Sequence, residues 1–174
     1  MLIAGLTAVT FLIEGAILDW SALLITSKNI APASQGGVGY MLFSMAMTVG
    51  RLLGDAIVAR LGARRMLIVG GLLAVAGFVV LLAVPLRPIA MAGFLLIGLG
   101  ASNIVPVLFS AAGRQRTMPP ALAIAAITTT GYAGILAGPA AVGFVAEAVG
   151  LTASFWLLAA LMCLVPLLAG PAAR

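Results

Sequence analysis

The stretch MLIVGGLLAVAGFVVLLAV, from Met66 to Val84, is unbroken apolar sequence without a single charge. It shows no period of two, so it does not resemble a strand of a membrane barrel, where segments of roughly 10 residues alternate in polarity. Its length suits a helix. A hydrocarbon core of ~30 Å needs about 20 helical residues, because each backbone amide in lipid must be bonded within its own segment. Working outward, five further runs have the same character: Leu2 to Ile25, Gly36 to Ala59, Ile89 to Ala112, Ala121 to Ala146 and Leu151 to Gly170. The expected fold is all-α, a polytopic membrane protein with six transmembrane helices in a single bundle over residues 1–174.

Composition points the same way. At 64% hydrophobic and 7% charged residues, the chain lies far outside the range of water-soluble domains. The net charge of +5 does not imply nucleic acid, because no basic face is present to hold a phosphate backbone. Cys163 is the sole cysteine and implies neither a disulfide nor a metal site. The absence of histidine removes a serine–histidine dyad and histidine ligation of zinc or haem. No phosphate-cradling glycine–lysine loop occurs either. No enzyme, cofactor or metal is expected.

The cations mark topology instead. Six crossings put both termini on one side, with Arg60, Arg64 and Arg65 in one turn, Arg114 and Arg116 in another, and Arg174 in the tail. The opposite side holds only Lys28 and Arg87, so the basic side, with both termini, is assigned to the cytoplasm of the inner membrane. Trp20, Tyr40 and Trp156 fall near the outer ends, where amphipathic rings favour the interface. The first run is too long for a signal peptide, contains Glu14 and Asp19, and has no basic segment before it, so it is read as a retained helix.

Connections alternate between longer polar stretches, Thr26 to Gln35 and Gly113 to Pro120, and tight turns. The second and fifth runs each lead into a glycine, Gly62 and Gly150, at nearly half a chain length apart. Pro85 and Pro88 bracket the midpoint. This pattern suggests two three-helix inverted repeats, residues 1–86 and 87–174, an arrangement from which many transporters are built.

Three stretches carry a family resemblance: EGAILDWSALLI from Glu14, GRLLGDAIVARLGARR from Gly50, and GYAGILAGPAAVGFVAEAVGL from Gly131. Through them the chain resembles the major facilitator superfamily, specifically the second six-helix half of a twelve-helix permease. Arg60, Gly62, Arg64 and Arg65 resemble the family's cytoplasmic-loop motif, although Ala59 stands at its aspartate and Asp55 at its first glycine. Gly134, Gly138, Pro139 and Gly143 resemble its glycine–proline helix motif. The DWS triplet and SNIVPVLFSAAGR, from Ser102, are most similar to bacterial permeases of the fucose-permease-like branch. The resemblance implies that the second and fifth helices face a second six-helix half. That half is absent here, which leaves open a truncated half, a separately encoded half or a homodimer.

Intramembrane charges cost about 2.5–3.5 kcal/mol each on insertion scales, so each needs a partner or a task. Glu14 lies mid-way along the first run and faces protein or water. It is a candidate for binding and releasing a proton, and equally for a hydrogen bond that only joins helices. Asp19, nearer the outer surface, suits a cap or loop contact. Asn103 and Tyr132 fall at similar depth and are candidates to line one cavity with Glu14 and bind a polar solute. For Asn103 interhelical hydrogen bonding is the competing reading. Arg51 and Asp55 are four apart, hence on one helix face, and are expected to pair and brace a cytoplasmic gate with Arg60, Gly62, Arg64 and Arg65; an anionic solute at Arg51 is the alternative. The stripe of Gly134, Gly138, Pro139 and Gly143 reads as close helix packing with a kink. The functional expectation is half of a secondary transporter moving a small solute by alternating access, with protons. The alternative is a non-transporting scaffold that packs, in lipid, against a partner half.

Overall fold

The computed structural model describes residues 1–173. Arg174, counted among the cations of the basic side, lies outside the described residues. Among them the chain is helical almost throughout, with no strand. The helices are α1 (Leu2–Ser27), α2 (Val38–Leu52), α3 (Gly54–Leu61), α4 (Ala63–Ala83), α5 (Arg87–Ala101), α6 (Ile104–Arg114), α7 (Pro120–Val149), α8 (Leu151–Met162), α9 (Leu164–Leu167) and α10 (Ala169–Ala172).

Four spans are long and apolar enough to cross a membrane: α1, α4, α5 with α6, and α7. α2 and α3, which meet at a 60° bend, reach the length and apolarity of a fifth span only when taken together as one broken segment. Here the structure corrects the expectation of one continuous helix from Gly36 to Ala59. The backbone breaks at Leu53, between two glycines that hold a helix poorly, Gly50 and Gly54. The sixth run is also not one helix, because Leu151–Leu167 is a shorter apolar segment broken at Cys163. Pro166 explains that break, since it has no amide to bond the carbonyl of Met162. The broken segment nonetheless runs the length of α4 in the opposite direction. Phe155 packs on Phe78, Pro166 faces Gly71, and Gly170 lies beside the Arg64 guanidinium.

Helices approach closely where glycine removes the side chain. A Cβ on Gly77 would lie 2.7 Å from the Gly93 carbonyl, and one on Gly93 the same distance from the Gly77 carbonyl. This mutual contact sets α4 against α5, and dispersion at short range replaces the hydrophobic drive that lipid does not supply. Phe78, Phe94, Phe155, Leu81 and Ile97 fill the shared core.

The molecule has two distinct ends. At one, a cavity is lined by Met1, Leu2, Gln115, Met118 and Pro171, so the N-terminus, the α6–α7 loop and the C-terminal segment lie together. Another hollow there joins Gly62, Arg64 and Arg65 to Ala173. At the other end Lys28 donates to the Leu82 carbonyl at 2.8 Å and Arg87 to the Gln35 side chain. The cations are therefore sorted by end, as their spacing in the chain predicts.

Candidate functional site

Glu14 sits in the middle of α1, the only charged residue of that helix until Asp19. Its neighbour Gly15 lets α7 come close: a Cβ there would lie 2.9 Å from the Ile135 carbonyl. That carbonyl has lost its helical partner, because Pro139 stands four residues on and carries no amide. Gly134 and Gly138 meet the backbone of Ala8 and Leu12, and Gly143 meets the Trp20 ring. Trp20 also donates its indole N–H to the Pro139 carbonyl at 3.0 Å. The glycine–proline stripe is thus the seam between α7 and α1, and it aligns α7 beside Glu14.

From the other side α2 brings Arg51. Its Nη2 lies 3.6 Å from Glu14 Oε2, the sole ion pair among the described residues. The expected pairing of Arg51 with Asp55 does not form. The break at Leu53 turns α3 away by 60°, so four residues of sequence no longer share a helix face, and the acid that answers Arg51 comes from α1. The two partners differ in exposure. The Glu14 side chain is 14% exposed and that of Arg51 47%, while Glu14 Oε1 is buried without a hydrogen-bond partner. The pair lines an open groove of about 260 Å³ with Tyr40, Ser44, Thr48 and Ile135.

Asn103 and Tyr132 do not join Glu14 in that groove. Asn103 is buried where α5 passes into α6, and its Nδ2 donates to the Gly50 carbonyl at 2.8 Å and to Ser102 Oγ at 3.0 Å. The break at Leu53 deprives the Gly50 carbonyl of its helical partner, and Asn103 supplies another. The converse also holds. Pro106 leaves the Ser102 carbonyl without an amide, and Arg51 Nε donates to it at 3.4 Å. Two interrupted helices therefore satisfy each other's freed carbonyls. Gly50 and Gly54 permit this contact, because a Cβ on either would run into Ser102 or Asn103. Tyr132 is 59% exposed on α7, and its ring packs on Phe11 with centroids 6.2 Å apart.

The remaining loop residues lie at the basic end. Arg60 closes α3, Gly62 forms the turn with φ +77°, and Arg64 and Arg65 open α4, all exposed. Asp55 shares a hollow with Pro106, Ser110 and Arg114. Sequence reasoning missed Tyr40, Ser44 and Thr48 as groove residues. A signal was present, because Tyr40, Ser44, Thr48 and Arg51 recur every three or four residues and so form one polar stripe on an otherwise apolar helix.

No protein-family model matches the chain. It is 49% identical over 162 residues to an uncharacterised MFS-type transporter of Yersinia pestis, covering 93% of this chain and 42% of that protein. The chain belongs to the major facilitator superfamily. Its similarity extends to the membrane protein MosC of Rhizobium meliloti, 36% identical over 84% of this chain and 36% of that one. An uncharacterised transporter of Sinorhizobium fredii is 34% identical over 90% of this chain and 41% of that one. The chain thus spans about two fifths of the length of the curated relatives it matches. In superfamily terms, the groove at Glu14 and Arg51 is formed by the first, second and fifth spans of the bundle.

Proposed function

We propose that this chain is one six-helix half of a secondary active transporter that moves a small solute by alternating access, coupled to protons at Glu14. The observation that carries the reading is the Glu14–Arg51 pair in an open groove. An intramembrane acid and base that merely braced helices would be expected to close over each other with full hydrogen bonding. Here the acid keeps an unpartnered oxygen and the base is half exposed.

Coupling at Glu14 depends on what surrounds it. Arg51 and Tyr40 face it from α2, α7 contributes the apolar Ile135, and Asp19 lies further along α1. Arg51 is thus the one countercharge in the groove, and loss of their contact leaves a proton as the replacement. In this reading Arg60, Gly62, Arg64 and Arg65 belong to the cytoplasmic gate with Asp55. Both termini are cytoplasmic, the protein resides in the inner membrane, and it is not an enzyme. A second six-helix half or a second copy completes the cavity. The two-repeat organisation, 1–86 and 87–174, is supported by Gly62 and Gly150, which adopt nearly the same backbone angles, φ +77° with ψ 157° and φ +90° with ψ 154°.

The test is solute uptake into proteoliposomes with an imposed pH gradient, using a panel of sugars, amino acids and organic acids. Glu14→Gln is expected to abolish acceleration by the gradient while leaving exchange of solute down its own gradient. Uptake by the variant that still responds fully to the gradient would refute coupling at Glu14.

A further inference from the structure

We infer that the groove at Arg51 takes a solute carrying a carboxylate, held by the guanidinium in place of Glu14. The inference rests on the transporter reading and adds the class of solute. It follows from the donors that the groove leaves unspent. Arg51 has five N–H groups. Nε is committed to the Ser102 carbonyl at 3.4 Å, and Nη2 faces Glu14 at 3.6 Å. That second distance exceeds the ~2.7–2.9 Å of a charge-assisted hydrogen bond. The other guanidinium N–H groups have no hydrogen-bond partner among the described residues, and neither do the hydroxyls of Tyr40 and Ser44. Thr48 already donates to the Ser44 carbonyl at 2.8 Å. Besides the Tyr40 and Ser44 hydroxyls, which can donate or accept, the groove therefore holds one uncommitted charged donor, the Arg51 guanidinium, and no anion but Glu14.

Glu14 satisfies that demand poorly. It is tethered to α1, reaches Arg51 with one oxygen, and leaves the other buried without a partner. A mobile carboxylate can approach the outward edge of the guanidinium and accept two parallel N–H bonds, the geometry for which arginine is suited. Glu14 then loses its countercharge and takes up a proton, so solute and proton enter together and the groove stays electrically neutral. A neutral polyol can bond to the groove hydroxyls, but it leaves the exposed guanidinium charge unanswered and gives Glu14 no reason to take up a proton.

The inference is tested on the full 174-residue chain in detergent, by thermal unfolding monitored through maleimide labelling of Cys163. Lactate and gluconate are compared at millimolar concentration with glycerol and glucose, and sodium chloride matches ionic strength. The carboxylates are expected to raise the melting temperature by ~3 °C or more through preferential binding to the folded state, and the polyols are not. Arg51→Lys should keep part of the shift and Arg51→Gln none. Equal shifts from glucose and gluconate, a shift retained in Arg51→Gln, no shift from either carboxylate, or a shift from inorganic phosphate alone would overturn it. Transport of a neutral solute with an intact response to the pH gradient would sink this inference and leave the transporter reading in place. Carboxylate binding without any transport would do the reverse.

Discussion

Asn103 on the α5–α6 junction donates to the carbonyl of Gly50 on α2, 53 positions away in the chain, at 2.8 Å. This bond answers the break at Leu53, and it places the two kinks at one level of the bundle. Replacing Asn103 by Ala removes the donor and leaves the Gly50 carbonyl unpaired in a buried site. Interhelical hydrogen bonds in membranes are worth about 0.6–2 kcal/mol, and an unsatisfied buried acceptor adds desolvation at the upper end of that range. A loss of ~1–2 kcal/mol is expected in reversible unfolding in mixed micelles.

Gly62 and Gly150 call for a different argument, because a side chain at either would have open space. A Cβ at either position meets no atom within 4 Å, so crowding cannot make alanine costly there. Backbone conformation can. Both lie at positive φ with an extended ψ, a region open almost only to glycine, at a cost on the order of 1–3 kcal/mol for other residues. Gly62→Ala and Gly150→Ala should each destabilise by that amount. Gly113→Ala is the control, because Gly113 also faces open space but lies within α6, where alanine should be neutral or stabilising by up to about 1 kcal/mol. Equal effects at the three positions would contradict the turn geometry.

What the sequence made legible was set by length and period. Unbroken runs such as Met66 to Val84 identify helices because a lipid span demands a length, and the sorting of Arg60, Arg64, Arg65 and Arg114 to one end follows from charge alone. The ion pair was not legible. Spacing of four residues pairs Arg51 with Asp55 only while the helix continues, and the weak signal against continuity, Gly50 and Gly54, was outweighed by the apolar run. Asn103 lies within the Arg87–Arg114 span and is buried, but depth along a helix does not say which neighbour a side chain faces. Its partner is a backbone carbonyl that becomes available only through a break elsewhere. Tyr132 illustrates the same limit, because its ring is turned to Phe11 and exposed.

The α1–α7 seam predicts its own failure. A Cβ on Gly138 would stand 2.7 Å from the Leu12 carbonyl, and backbone cannot yield as a flexible side chain can. Gly138→Leu should cost at least the ~1–3 kcal/mol typical of overpacking and separate α7 from α1 near Glu14. Loss of the Trp20 hydrogen bond to Pro139 would accompany it, visible as a red shift of indole emission. Gly5→Leu on α1, where nothing lies within 4 Å, should leave the emission unchanged.

The Glu14–Arg51 pair should break asymmetrically. Removing Arg51 orphans an acid that is mostly buried, and it also strips the Ser102 carbonyl of its donor. Removing the charge of Glu14 orphans a guanidinium that is half exposed and still bonded to Ser102. Stranding one member of a fully buried pair costs about 3–5 kcal/mol. That figure is an upper bound here, because Arg51 is 47% exposed and its attraction to Glu14 is screened. The orphaned acid also escapes part of the cost by binding a proton. Arg51→Gln is therefore expected to lose about 1–3 kcal/mol and Glu14→Gln less than about 1 kcal/mol, as measured by unfolding in mixed micelles. A double-mutant cycle should show coupling of at least ~0.5 kcal/mol between them, and none between Arg51 and Asp55. If Arg51 instead couples to Asp55, the helix continues through Leu53 in the membrane and the groove described above is closed by its own second span.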